Sequence, residues 1–349
     1  MLDYLFGLFS HEIGIDLGTA NTLVWVKGKG IVVREPSFIA RHKKTKEVLA
    51  IGTEAKRMLG KTPASIIVSR PLKDGVISDF EATEAMLHYY INKVHEIPGG
   101  FPRLPRPKVV VGIPSQVTEV EARAVSEAAL SAGARQTFLI EEPMAAAIGA
   151  GLPVLQPEGC LIVDVGGGTS EIAVISLGGI VVNRSLRIAG DEMDQAIIDY
   201  SRKTEAILLG ERTAEEVKIT VGTAYSLKKD LEMVVRGRSL KTGLPKSIKI
   251  TSSQTLEALR PVVSQVVEAI SDTLQDTPPE LVGDILKRGI VLVGGGSLLR
   301  GLDRLIAEKT KMPVWVVEDP MTCVVRGCGK VLEDPSLLQK VKVVGGIRG

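Results

Sequence analysis

Two stretches of the chain follow one design. Residues 15–26 read IDLGTANTLVWV and residues 163–174 read VDVGGGTSEIAV. Each is an apolar strand ending in an aspartate, then a glycine-bearing turn with small polar side chains, then a second apolar strand, which is the pattern of a β-hairpin. Asp16 and Asp164 lie 148 positions apart, which leaves room for each hairpin to open its own lobe. Gly18, Gly166, Gly167 and Gly168 carry no Cβ, so backbone N–H groups in these turns can approach an anion closely. Thr19, Asn21, Thr22, Thr169 and Ser170 add side-chain donors. An aspartate beside a phosphate repels it unless a cation sits between them. Asp16 and Asp164 therefore imply a hydrated Mg²⁺ held between two hairpins and a polyphosphate. The bland alternative, two ordinary β-turns, does not account for an acidic hairpin built twice.

A third glycine cluster lies in VLVGGGSLLRGLDRLI, residues 291–306. A strand ends at Val293, and Gly294, Gly295 and Gly296 turn the chain. Ser297 is expected to cap a helix whose apolar face is Leu298, Leu302, Leu305 and Ile306. Glycines here let a flat base or ribose lie against the backbone. The stretch lacks the GK[ST] ending of a Walker A loop and the GxGxxG spacing of a dinucleotide fold.

The 349 residues suit two domains or one bilobed unit, and 44% of them are hydrophobic, enough for a well-filled core. A net charge of only +2, with no long basic run, argues against a nucleic-acid partner. Cys160, Cys323 and Cys328 are too few and too scattered for a CxxC metal site and read as buried thiols in a reducing compartment.

Strands and helices alternate in both halves, which implies α/β layers and, with the repeated hairpin, an internal duplication. The first lobe spans residues 1–150 with a small insertion at about 34–70, and the second spans 151–320 with an insertion at about 187–255. Residues 321–349 return to the first lobe. Within this frame, residues 31–40 read as a third strand and a helix begins near Asp79. Thr118 and Glu121 form a capping-box pattern at the start of another helix. In the second insertion, residues 213–231 read as a helix. A long helix follows from about Thr255 to Pro278.

No run of about 18 apolar residues is present to span a membrane, and the N-terminus lacks the basic region and cleavage site of a signal peptide. At 100° per residue, Met1, Leu2, Leu5, Phe6, Leu8 and Phe9 fall within an arc of roughly 160°. A core helix is one reading. Insertion into a membrane surface is the better one, because no second element is evident to cover the arc. One copy without lysines binds weakly, whereas many copies on a polymer bind firmly. Phe101 and Leu104, in a proline-rich loop, are candidates to insert alongside.

The three glycine elements, in this order and spacing, resemble the actin-like ATPase superfamily. RPLKDGVISDFEATEAML, VVVGIPSQVTEVEARAV, IEEPMAAAIGAGL, RIAGDEMDQAI, GERTAEEVK and GGGSLLRGLDRLI, together with the first hairpin, are similar to the MreB family of bacterial actins, over essentially the whole chain. YSRKTEAILLGE and TCVVRGCGK depart from the commonest family text. The resemblance implies a duplicated actin-like fold with ATP and Mg²⁺ in the cleft between the lobes. It implies that Thr19, Ala20 and Asn21 line the first phosphate loop and Gly166, Gly167 and Gly168 the second. Glu215, Glu216, Val217 and Lys218, from the AEEVK helix, would reach the nucleoside. Gly294, Gly295, Gly296 and Ser297 would hold the adenosine. Glu142 would position the attacking water with help from Thr169; otherwise it is a surface carboxylate at a turn. The function implied is a cytoplasmic, membrane-associated filament that hydrolyses ATP slowly, organises cell-wall elongation with its machinery and maintains rod shape. A sugar-type kinase of the same superfamily is the alternative, but it needs a dedicated base, and no carboxylate besides Glu142 reads as placed for that.

Overall fold

The computed structural model describes residues 10–96 and 106–343. Leu2, Leu5, Phe6, Leu8, Phe9, Phe101 and Leu104, the candidate membrane residues, lie outside them. Two five-stranded sheets share one plan. In the first, the strands run Gln136–Glu141, Lys108–Ile113, Ile13–Leu17, Asn21–Val26, Gly30–Pro36. In the second, they run Val314–Val316, Ile290–Val293, Cys160–Val165, Ser170–Ser176, Gly179–Leu186. Each sheet has the acidic hairpin at its centre. A third strand pairs antiparallel on one side, and two strands join parallel on the other. The parallel strands arrive after helical crossovers, as parallel pairing requires. Helices on both faces explain why Cys160–Val165 is buried at every position.

Burial divides into three large clusters. One is made of first-sheet residues with the helices Phe80–His95 and Glu119–Ser131, and includes Ile15, Val24, Leu87, Tyr90 and Val111. A second belongs to the other sheet with Gly190–Glu205, Glu211–Val221 and Ser252–Gln275, and includes Val163, Ile172, Ile197, Val217 and Leu259. The third joins them. The helices Glu142–Ala150 and Cys323–Glu333 sit between Leu23 and Trp25 of one sheet and Ile162 and Ala173 of the other. Gly149 faces the Cys323 carbonyl and Gly327 the Ala145 carbonyl so closely that a Cβ at either glycine would collide with it. Residues near the chain's end reach the first sheet as well, where Val343 N donates to Leu139 O at 2.9 Å.

Local signals explain most boundaries. Asp79 Oδ1 accepts from Ala82 N at 3.0 Å to open Phe80–His95. Thr118 and Glu121 close the expected capping box on Glu119–Ser131. Four expectations need correction. The strand expected over residues 31–40 is two strands in different sheets, because Pro36 has no N–H to continue the ladder and Ser37 turns the chain. The helix expected over residues 213–231 is Glu211–Val221, and Gly222 ends it in an extended conformation. The long helix starts earlier, at Ser252, because Thr251 and Gln254 make a capping box. Ser297 caps no helix: it lies in the short 3-10 turn Gly295–Leu298, and the helix that follows is Leu302–Thr310, preceded by Gly301 at φ 74°.

Candidate functional site

Both hairpin turns and the third glycine turn open onto one cleft between the sheets, with a cavity volume of about 430 Å³. Asp16, Gly18, Thr19, Ala20 and Asn21 line it from the first hairpin, and Asp164, Gly166, Gly167, Gly168 and Thr169 from the second. Gly294, Gly295 and Gly296 line its third wall, and Glu142, Glu215 and Lys218 are also exposed to it. Three expected members stand apart. Val217 is fully buried in the second lobe's core, and Glu216 turns outward to Arg212 at 3.1 Å. Ser297 does not line the cleft; it donates to the Gly294 carbonyl at 2.7 Å and so steadies the turn from behind.

The turns are held at close quarters. Ser37 Oγ donates to Gly18 O at 2.6 Å, and Ser37 N donates to Ala20 O at 3.0 Å, so the break after Pro36 supports the first turn. Gly190 N donates to Gly166 O at 3.2 Å and Asp191 N to Gly167 O at 2.8 Å, supporting the second. A Cβ at Gly167 would meet the Ala20 methyl, and one at Gly294, where φ is 81°, would strike Asp164. These backbones approach because no side chain stands between them.

The floor is acidic. Burial, then the charge of Asp164, pushes the Asp16 carboxyl up to about 8. Burial, then Glu171, pushes Asp164 up to about 7. Burial and the charges of Glu171, Asp16 and Asp164 push Glu142 well above the usual carboxylate range. Such a set fits a cation, which would relieve both desolvation and mutual repulsion. Two carboxylates, Asp16 and Asp164, line the cleft beside the glycine turns, a donor set that suits an ion such as Mg²⁺, which keeps several of its waters. The narrow glycine walls fit phosphates.

The sequence reading named Glu215 and Lys218 but missed Arg70, Asp191 and Asp194, which also line the cleft. Lys218 Nζ pairs with Asp194 at 2.9 Å and donates to Gly190 O at 2.8 Å. Across the mouth, Lys56 meets Glu215 at 2.7 Å and Arg70 meets Asp191 at 2.5 Å. Glu142 is not the sole further carboxylate: Glu171 also lines the cleft and is 1% exposed. Its signal was visible, since it is the one charged residue in the otherwise uncharged, fully buried strand SEIAVIS.

A duplicated α/β fold with three glycine turns and an acidic floor on one cleft defines an actin-like protein. The chain belongs to the MreB/Mbl family, whose family model matches residues 10–340. It is 52% identical over 337 residues to the cell shape-determining protein MreB of Escherichia coli, covering 95% of this chain and 96% of that one. It is 48% identical over 336 residues to the cell shape-determining protein Mbl of Bacillus subtilis, covering 96% and 100%. Its fold matches the crystal structure of MreB5 of Spiroplasma citri bound to ADP with a TM-score of 0.88 and 36% identity, over 95% of this chain and 98% of that one. The same protein bound to AMPPNP matches at 0.87.

Proposed function

We propose that this protein is an ATP-dependent, filament-forming cytoskeletal ATPase that works at the inner face of the cell membrane and maintains cell shape. The observation that carries the reading is the convergence of both acidic hairpins and the third glycine turn on one cleft. The ADP and AMPPNP complexes of the Spiroplasma protein support an adenine nucleotide in that cleft. The descriptions of the Escherichia coli and Bacillus subtilis relatives support the cellular role and disfavour the sugar-kinase alternative.

In this reading the backbone amides of the two hairpin turns hold the phosphates, and Asp16 and Asp164 hold the hydrated Mg²⁺, which supplies charge neutralisation when bound. Gly294, Gly295 and Gly296 carry the adenosine, with Glu215 and Lys218 facing it. Glu142 orients the attacking water and Thr169 shares it, so that hydrolysis is slow and follows closure of the lobes. Residues 1–150 and 151–320 act as the closing lobes and residues 321–349 as the return segment.

Assembly and membrane binding belong together. Fully burying a large apolar side chain contributes ~1.5–3 kcal/mol, while ordering residues 1–9 costs ~1–2 kcal/mol each. A polymer of copies therefore binds lipid firmly where one copy binds weakly. Ser10 Oγ lies 3.3 Å from His95 Nε2 and His11 N donates to the same nitrogen at 3.2 Å. This contact brings the start of the described chain beside the end of the helix that precedes Phe101 and Leu104, which favours joint insertion. Cell-wall elongation proteins are the expected partners besides further copies of the chain.

Sedimentation tests the reading. The full chain is expected to pellet with ATP and Mg²⁺ more than with ADP, and to carry liposomes with it. A chain lacking residues 1–9 is expected to assemble but leave the liposomes behind. Equal pelleting without nucleotide, or undiminished lipid binding by the truncated chain, would overturn the corresponding half.

A further inference from the structure

Glu171 joins the two halves of the molecule from within the cleft. It stands on Ser170–Ser176 of the second sheet, cross-strand from Asp164 and, on the other side, from Ser185. Its carboxylate is shared between the lobes. Oε1 accepts from Ser185 Oγ at 2.5 Å, within the second lobe. Oε2 accepts from Ser115 Oγ at 2.6 Å and Ser115 N at 3.2 Å, from the loop that follows Lys108–Ile113 in the first sheet.

Ser115 belongs to a seam where the lobes touch away from the cleft mouth. Gln116 Nε2 donates to Asn183 O at 3.5 Å, and Glu121 faces Arg187 at 3.9 Å. Those two contacts are exposed and contribute little. Among the described residues of this seam, Glu171 is the one that also lines the cleft, as do Asp164, Thr169 and Glu142. Hydrogen bonds to a buried carboxylate are among the stronger ones, and each fixes the acceptor's direction. Separating the lobes along this seam takes away both Ser115 donors and leaves Oε2 buried without them.

We infer that Glu171 is a positioning residue that makes hydrolysis conditional on lobe closure. Ser115 sets the carboxylate beside Glu142 and Thr169 when the seam is shut and releases it when the seam opens. The inference rests on the nucleotide reading above and adds the contact through which the closed state reaches the reacting end of the cleft. Such a link is a coupling between two sites, so it has the signature of non-additivity.

The test compares Ser115→Ala, Glu171→Gln and the double variant, with Gln116→Ala as a seam control. Affinity is read with a fluorescent ATP analogue in Mg²⁺ and turnover by phosphate release. Ser115→Ala is expected to slow phosphate release roughly tenfold, the weight of one hydrogen bond to a charged group, with affinity within about twofold. Glu171→Gln is expected to slow it at least as much, and the double variant no further than Glu171→Gln alone. Ser115→Thr, which keeps the hydroxyl, should restore most of the rate, and Gln116→Ala should leave it unchanged. Should Glu171→Gln fail to fold by thermal melting, Ser115→Ala against Ser115→Thr decides the matter by itself. Additive losses, an unchanged rate in Ser115→Ala, or a loss confined to affinity would overturn the inference. A wild-type chain that bound no ATP analogue would instead overturn the nucleotide reading, and this inference with it.

Discussion

The two acidic hairpins occupy equivalent places in equivalent sheets, yet they are not equivalent chemically. Opposite Asp16 the first hairpin places Leu23, and opposite Asp164 the second places Glu171. Both are buried, but Leu23 packs into the cluster shared by the lobes whereas Glu171 accepts three hydrogen bonds. The turns differ as well. The first carries side chains at Thr19, Ala20 and Asn21, and the second presents Gly166, Gly167 and Gly168. Where Ala20 meets Gly167 there is room for one methyl and not two. Duplication thus supplied two copies of a frame; contact between the turns leaves room for bulk on one of them, and only the second hairpin carries a second carboxylate.

The largest expected effect tests the charge crowding that the two aspartates share on the cleft floor. Burial raises both above their value of 3.8, Asp16 to about 8 and Asp164 to about 7. Between pH 4 and pH 8 the folded chain holds protons that the unfolded chain has released, so stability falls as pH rises through this window. In metal-free, nucleotide-free protein the loss should be read as a melting temperature that falls steadily between pH 4 and pH 8. Asp16→Asn and Asp164→Asn should each flatten the profile, and Mg²⁺ with ATP should flatten it in the wild type. A flat wild-type profile, or one that neither substitution changes, would remove the two aspartates as the source of the pH dependence.

A smaller difference lies behind the turns. The first is supported by a neutral hydroxyl, Ser37, bonded to Gly18 O and at 2.8 Å from Thr22 Oγ1. The second is supported by Lys218, which holds Gly190 O and pairs with the mostly buried Asp194. Burial, only partly offset by Lys218, pushes Asp194 up to about 6. Removing one member of a buried ion pair typically costs about 3–5 kcal/mol, whereas a lost neutral hydrogen bond that strands its partner costs about 1–3 kcal/mol. Denaturant unfolding of Lys218→Ala and Ser37→Ala should keep that order. Adding Asp194→Asn to Lys218→Ala should recover part of the loss, because the stranded charge goes with it.

Much of this was legible in the sequence because it is local. Hairpins, glycine turns, the Thr118 cap and the Asp79 cap are set by neighbours within a few positions, and the two aspartates announced a charge problem without any fold in view. What could not be read is what the fold brings together from afar. Lys56 and Glu215 are 159 positions apart, and Arg70 and Asp191 are 121 apart; nothing nearby marks either as a partner. Glu171 is the instructive middle case. Its strand betrayed it as a buried charge, but Ser115, which shows why it stands there, lies 56 positions away. Ser297 failed for another reason: a serine after three glycines satisfies a helix-cap pattern, yet the chain spends it on Gly294 O and starts the helix later, at Leu302.

The smallest test moves the methyl from one turn to the other. Gly167→Ala alone places a Cβ against Ala20, and such overpacking typically costs about 1–3 kcal/mol. Because the collision is at the phosphate end, it should appear as weaker binding of an ATP analogue, by roughly tenfold to a hundredfold, more than as lost stability. Ala20→Gly alone should change affinity little, since it opens space and removes no donor. Combining them returns the methyl count between the turns to one, and binding should recover to within about threefold of wild type, a coupling that independent sites do not show. If the double variant binds as poorly as Gly167→Ala, the collision that matters is with the Ala20 backbone N, 3.1 Å from the Cβ position, and not with its methyl. The contrast drawn between the two turns would then rest on Leu23 and Glu171 alone.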